Sequence, residues 1–122
     1  MQQRTGRKVV GRLKRGMLSL SVAQMTFEDF QQIVAAGRVP EGVSAALQAL
    51  WHDARGDWHA AHGCAQDDES RDGSWVHAYL HRKEGDEGNA GYWYSRAGRR
   101  KPAAGTTLAA EWEAIARELV GR

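Results

Sequence analysis

Two Gly-Asp pairs, at residues 56–57 and 85–86, constrain the fold of this chain more than any other feature of its sequence. Glycine readily adopts the left-handed conformation that ends a helix, and aspartate accepts hydrogen bonds from the free N–H groups that begin the next helix. Each pair therefore predicts a two-residue joint that reverses the chain into an antiparallel helical hairpin. The pairs lie 29 residues apart, and His52 and His81 match at the same offset, which indicates an internal repeat.

Helical periodicity continues on both sides of these joints, and strand signals are nearly absent. We predict an all-α fold of about six helices, in which the middle four form two stacked antiparallel hairpins and the outer two cover the ends. The predicted helices span about 26–36, 43–55, 58–67, 74–84, 87–97 and 108–120. The predicted core comprises the large side chains on their inner stripes: Phe30, Leu47, Leu50, Trp51, Trp58, Trp75, Leu80, Trp93, Tyr94, Trp112 and Ile115.

The N-terminal segment has a different composition from the rest of the chain. Residues 1–24 contain six basic and no acidic side chains, whereas residues 25–122 contain eleven basic and fifteen acidic ones. We expect residues 25–122 to form a single helical-repeat domain, and we expect the basic segment to be a disordered tail. Three interpretations of the segment remain open: an arm for nucleic acid or an acidic partner, a targeting segment, and a non-native extension before a start at Met25.

Composition also bears on partners and compartment. No apolar run approaches the roughly 20 residues needed to span a bilayer, so we expect no membrane partner. The single cysteine, Cys64, cannot form an internal disulfide, which favours a reducing compartment such as the cytoplasm. The net negative charge of residues 25–122 disfavours nucleic-acid binding outside the basic tail. Because no glycine-rich phosphate loop, Cys–His pair or serine elbow is present, we assign no catalytic residue and expect no cofactor.

The segment "HAYLHRKEGD" combines a histidine pair with a carboxylate on one side of a predicted helix. His77, His81 and Glu84 fall within about one sixth of the helix circumference. Histidines four residues apart can share a metal ion, and a carboxylate one turn further on can serve as a ligand or a general base. His62 or His52 can supply a further ligand. The residues His62, His77, His81 and Glu84 thus predict one candidate function, a metal-binding protein or a small hydrolase-type enzyme.

The internal repeat supplies a competing interpretation of the same histidines. Because His52 is the counterpart of His81, a packing role or the lining of a groove is the alternative to chemistry. Stacked helical pairs present extended surfaces that suit partner binding. Our main prediction is therefore a protein- or peptide-binding module, whose candidate groove residues are His77, His81, Arg82, Tyr92 and Arg96.

The stretch "GDEGNAGYWYSRAGRRKP" resembles the second half of a tetratricopeptide repeat. Its glycine, acidic, alanine, aromatic and proline positions are matched by Gly85, Asp86, Ala90, Tyr94, Ala97 and Pro102. The repeat differs from that family in its period, which is 29 residues here and about 34 in the family. The resemblance implies stacked helical hairpins and binding to a protein partner.

From about Met25 to the C-terminus, the chain is also similar to an uncharacterised family of small bacterial proteins. The similarity is carried by "ALQALWHDARGDWHAAHGCAQ" and "SWVHAYLHRKEGDEGNAGYWYSRAG". It implies a bacterial source and a family-type start at Met25, and it implies no activity.

Overall fold

In the computed structural model, which describes residues 22–122, all regular structure is helical, and this confirms the predicted all-α fold. A short 3₁₀ helix at Val22–Gln24 precedes six α-helices in this part of the chain. They are α1 (Phe27–Ala36), α2 (Ala45–Ala54), α3 (Trp58–Asp67), α4 (Arg71–Lys83), α5 (Glu87–Ala97) and α6 (Leu108–Leu119). The predicted disordered basic tail comprises residues 1–24, of which residues 1–21 lie outside the described part of the chain. None of the described helices has the length and apolar character needed to cross a bilayer.

Both Gly-Asp joints have the geometry that their sequence predicts. Gly56 and Gly85 adopt positive φ angles of 85° and 87°. At the second joint, the N–H of Asp86 donates to the carbonyl of His81 at 2.9 Å, and the first joint repeats this bond at the same distance. The Asp86 carboxylate then accepts the N–H of Asn89 at 3.2 Å and so caps α5. Because each joint ends one helix and begins the next within two residues, α2 packs against α3 and α4 against α5.

Contacts between the hairpins and the outer helices complete the fold. Helix α3 packs against α4, and α6 packs against both α2 and α4. The outer helices also contact each other, because Phe27 and Phe30 of α1 lie against the Trp112 ring of α6 at centroid distances of 6.2 and 5.8 Å. The indole N–H of Trp112 donates to the carbonyl of Leu50 at 3.0 Å, which fixes α6 on α2.

Eight of the eleven predicted core residues are buried. The other three, Trp58, Trp93 and Trp112, are only partly buried and cover the edge of the core. A large amphipathic ring suits this position, because its N–H group needs a hydrogen-bond partner when it is buried. Trp58 illustrates this: its indole N–H donates to the carbonyl of Leu80 at 3.0 Å.

Helix α4 begins at Arg71, three residues before its predicted start at residue 74, whereas the other helices agree with prediction to within two residues. The polar stretch "DDESRDG" predicts a loop because it contains a glycine and several helix-capping residues. In the structure the Ser70 hydroxyl caps α4 by accepting the N–H of Gly73 at 3.2 Å. A Cβ atom at Gly73 would lie 2.1 Å from the Asp68 carbonyl oxygen, so this first turn requires glycine.

Two buried carboxylates attach α4 to its neighbours. Asp53 of α2 accepts hydrogen bonds from the Tyr79 hydroxyl at 2.7 Å and from the Lys83 ammonium at 2.8 Å. Glu111 of α6 accepts one from the Arg82 guanidinium at 2.8 Å. These bonds hold α4 from two sides and fix its rotation about its own axis, which determines where its remaining side chains point.

Alanine should change stability in opposite directions at glycines with positive φ and at a glycine inside a helix. Gly56→Ala and Gly85→Ala place a side chain at positive φ, so each should lower the free energy of unfolding by roughly 1–2 kcal/mol. Gly63 is the matched control, because it lies inside α3 and a Cβ atom there meets nothing within 4 Å. Gly63→Ala should raise the free energy of unfolding by about 0.5–1 kcal/mol.

Urea denaturation of the three variants measures these changes. Equal stability of Gly56→Ala and Gly63→Ala would contradict the account of the joints.

Candidate metal centre

Three histidines from two helices converge at the packing contact between α3 and α4. His77 and His81 share one face of α4, with their rings stacked at a centroid distance of 4.9 Å, and His62 approaches from α3. The Nε2 atoms of His62 and His77 lie 3.0 Å apart, and one ring nitrogen from each of the three residues lies within 4.8 Å of the others. His77 and His81 are buried and His62 is half-buried. We call His62, His77 and His81 the three-histidine cluster.

Glu84 lies behind the cluster and orients one of its members. Its carboxylate contacts Nδ1 of His81 at 2.7 Å. Because a carboxylate can only accept, this contact places the proton of neutral His81 on Nδ1 and leaves a lone pair on Nε2. Asp86 lies near His81 and Glu84 as well, but its carboxylate already accepts two hydrogen bonds from Asn89. Glu84, predicted as a ligand or base, is therefore placed as a hydrogen-bond partner of a histidine.

Two tryptophan rings form the walls of the cluster. Trp58 stacks on His62 with a centroid distance of 4.9 Å and an interplanar angle of 16°. Trp93 of α5 stacks on His77 at 3.9 Å and 21°. The helical periodicity of the sequence predicts both tryptophans as core residues. Trp58 directly follows the first joint and Trp93 lies in the middle of α5, and neither position gives a local signal of this wall function.

The electrostatics of the cluster favour the neutral forms of His62 and His77. Burial, followed by the nearby His62 and His81 rings, lowers the pKa of His77 to about 4. Burial and the neighbouring His81 also lower the pKa of His62. A positive charge on His62 or His77 is disfavoured because these rings lie close to other imidazoles in a poorly solvated space. At neutral pH, His62 and His77 therefore each carry one ring proton, and one of the two facing Nε2 atoms donates to the other.

Arg82, a predicted groove residue, is engaged inside the protein. Its guanidinium donates to the Glu111 carboxylate at 2.8 Å and also to the carbonyl of Thr106. Glu111 in turn accepts a hydrogen bond from the Tyr94 hydroxyl, and burial raises its pKa. Arg82 thus connects α4 to α6 and to the segment before it.

The remaining predicted groove residues occupy two environments. His77 and His81 belong to the buried cluster, whereas Tyr92 and Arg96 lie exposed on α5. The Arg96 guanidinium donates to the Tyr92 hydroxyl at 3.3 Å and lies 5.6 Å from the centre of the Trp93 ring. The exposed pair therefore borders the cluster only through Trp93.

The internal repeat does not reproduce the cluster. His52, the counterpart of His81, is half-buried and meets the edge of the Trp51 ring at 5.0 Å. At the 29-residue offset, the counterpart of His77 is Gln48 and the counterpart of His62 is Gly91. Of the three positions in the cluster, only that of His81 therefore has a histidine as its repeat counterpart.

In comparisons with known proteins, no family model, curated protein or solved structure matches the chain. The relationships to tetratricopeptide repeats and to a family of small bacterial proteins therefore stay predictions. What the centre can bind is inferred from its own donor atoms and from their surroundings.

The low pKa of His77 makes stability depend on pH in a defined direction. In the unfolded chain His77 has its ordinary pKa near 6.5, whereas in the folded protein its pKa is about 4. As the pH falls, the unfolded chain therefore binds a proton at a higher pH than the folded protein does. The free energy of unfolding is therefore highest above pH 6.5 and decreases as the pH falls towards 4. At pH 4.5 the expected decrease is about 2–3 kcal/mol. Urea denaturation in EDTA at pH 7 and pH 4.5 measures the loss.

His77→Phe should remove most of this pH dependence, because phenylalanine does not titrate. His59→Gln, at an exposed histidine of α3, is the control and should retain it. Parallel pH profiles for the native protein and His77→Phe would contradict the assignment.

Proposed function

We propose that this protein binds a transition-metal ion, best matched by zinc, through His62, His77 and His81. The observation that carries the proposal is the convergence of three histidine nitrogens to within 4.8 Å of one another at one helix contact. Imidazole is the commonest protein ligand of such metals, and three protein ligands are enough for a zinc site. Two of the three histidines are buried, where an unpaired ring is costly and a metal ligand is not.

The spacing of the ring nitrogens supports the proposal. Two nitrogens bound tetrahedrally to zinc at about 2.0–2.1 Å lie about 3.3 Å from each other. The Nε2 atoms of His62 and His77 are 3.0 Å apart. Opening this pair by a few tenths of an ångström requires only small ring rotations.

The protonation of the cluster supports it further. A histidine binds metal only through a deprotonated nitrogen, so a lowered pKa reduces competition from protons at neutral pH. Both His62 and His77 have lowered pKa values. His81 has the arrangement common to metal-bound histidines, in which one ring nitrogen donates to a carboxylate, here Glu84, and the other carries the free lone pair.

The donor set also narrows the choice of metal. An all-nitrogen site favours zinc and its first-row neighbours over Ca²⁺ and Mg²⁺, which prefer oxygen ligands. Zinc held by three protein ligands keeps a fourth position for water, whose pKa it lowers to about 7. The arrangement therefore suits a hydrolytic centre as well as a metal-binding protein without catalysis, and metal binding is common to both.

A second proposal, protein or peptide binding, is supported by the exposed face of α5. Tyr92 has 54% of its surface exposed, and Arg96 beside it has no acidic partner within residues 22–122. Tyrosine and arginine are the residue types enriched at binding hot spots. The observations on the histidines favour the metal over this second function.

Two expectations from the sequence accompany these proposals: a bacterial source and a cytoplasmic location. The cytoplasm is consistent with Cys64, which is a free, half-buried thiol, because reducing compartments keep thiols unpaired.

Zinc titration of protein purified without a histidine tag and stripped with EDTA tests the metal proposal. We expect one zinc per chain by isothermal calorimetry and a higher melting temperature when zinc is present in excess. His62→Ala and His77→Ala should abolish both effects. Glu84→Gln should lower the zinc affinity by about 10–100-fold, because it removes the carboxylate that orients His81.

His52→Ala and His59→Ala are the matched controls, since they remove a histidine outside the cluster. Circular dichroism confirms that each variant is folded. Absence of zinc binding by the folded native protein, or equal loss in the His59→Ala control, would refute the proposal.

A further inference from the structure

A cleft of about 370 Å³ lies between α3, α4 and α5, next to the three-histidine cluster but without sharing a residue with it. Its wall includes Ser74, one helical turn before His77, and Trp93, whose ring stacks on His77. Ala65 and Trp93 supply apolar surface, and Ser74 and Arg96 supply polar groups. The volume falls within the range of about 300–1,000 Å³ that is common for small-molecule sites.

The cleft contains hydrogen-bond donors without protein acceptors. Ser74 is 5% exposed, and its hydroxyl makes no hydrogen bond to any residue of the described part of the chain. A buried hydroxyl without a partner is uncommon, because it costs about 1–3 kcal/mol. Within residues 22–122, the indole N–H of Trp93 has no acceptor, and Arg96 donates only to the Tyr92 hydroxyl.

The acidic groups of the cleft differ in availability. Asp68 is already engaged, because its carboxylate accepts three hydrogen bonds: one oxygen accepts the N–H of Ala46 at 3.1 Å, and the other accepts both the N–H and the hydroxyl of Ser70. Glu69 is exposed at the rim, where solvent screens its charge. The groups left to meet a ligand inside the cleft are therefore mainly donors, one of which carries a positive charge.

We propose that this cleft binds the carboxylate group of an organic acid with an apolar or aromatic body. The Arg96 guanidinium and the Ser74 hydroxyl donate to the carboxylate, and Trp93 and Ala65 contact the body of the ligand. A planar carboxylate can accept two parallel hydrogen bonds from an arginine, and it can also accept one from the unpaired hydroxyl. The site goes beyond metal binding and does not depend on it.

Benzoate is a direct probe of this site. In a titration followed by ¹H–¹⁵N NMR in EDTA at constant ionic strength, benzoate should shift the Trp93 indole and Ser74 amide signals along a saturable curve. Benzamide, which has the same shape without the charge, should not saturate them. Lack of saturation with benzoate, or equal affinity for benzamide, would overturn the proposal.

Substitutions then test the assigned roles. Arg96→Gln should weaken benzoate binding by about tenfold or more, because it removes a charge-assisted hydrogen bond, and Ser74→Ala by about three- to tenfold. Arg100→Gln is the matched control, since it removes the same charge from an exposed residue outside the cleft, and it should leave the affinity unchanged. Equal weakening by Arg96→Gln and Arg100→Gln would show that benzoate affinity depends only on the net charge of the protein, and would overturn the proposal.

Glu69→Gln provides a signature that a purely structural role cannot give. Removing the negative charge at the rim should tighten benzoate binding by about two- to fivefold. Weaker benzoate binding in Glu69→Gln would show that Glu69 assists the ligand instead of repelling it, and would contradict the proposal.

The carboxylate can belong to a small acid or to the C-terminus of a peptide, and a comparison of benzoate with N-acetylphenylalanine distinguishes the two. Tighter binding of the acetylated amino acid assigns the cleft to a peptide terminus, and tighter binding of benzoate assigns it to a small acid. Both probes carry a carboxylate, so tighter binding of either one supports the proposal that the cleft binds this group.

Discussion

The hydrogen bond from the N–H of Asp86 to the carbonyl of His81 is the contact on which the position of the site depends. Helix α4 ends at Lys83, two residues after His81, and Asp86 caps the start of α5, so that α5 folds back along α4. That reversal brings Trp93 against His77. Glycine at residue 85 makes the bond possible, because the backbone there has a φ of 87° that other residues adopt only with strain. A local joint of two residues thus fixes a ring contact that is distant in sequence.

The three-histidine cluster places polar rings at a contact between two helices, where apolar side chains are more common. Apolar side chains would fill the same position between α3 and α4 without the cost of burying ring nitrogens. The chain instead places His62 and His77 so that they satisfy each other, and Glu84 so that it satisfies one nitrogen of His81. The second nitrogen of His81 has no protein partner among residues 22–122. Departures from apolar packing of this kind are expected at functional sites, where a ligand supplies the missing interaction.

Local signals in the sequence were sufficient for most of the fold and for part of the site. The joints and the bounds of α3 and α5 follow from glycine, aspartate and helical periodicity, and the shared face of His77 and His81 follows from their spacing. The early start of α4 was missed because Gly73 reads as a helix breaker, whereas its role is to allow close approach to Asp68. The engagement of Arg82 was missed because Glu111 lies 29 residues away in sequence, and no local pattern predicts such a pair. His62 was named only as an additional ligand, since its place in the cluster depends on how α3 packs against α4.

The most direct test of the central claim is the location of bound zinc by anomalous scattering at the zinc absorption edge, in crystals of the metal-loaded protein. We expect one strong peak about 2.0–2.1 Å from a ring nitrogen of each of His62, His77 and His81. A peak beside Glu84 and Asp86 without His62 and His77, or no peak between α3 and α4, would contradict the claim.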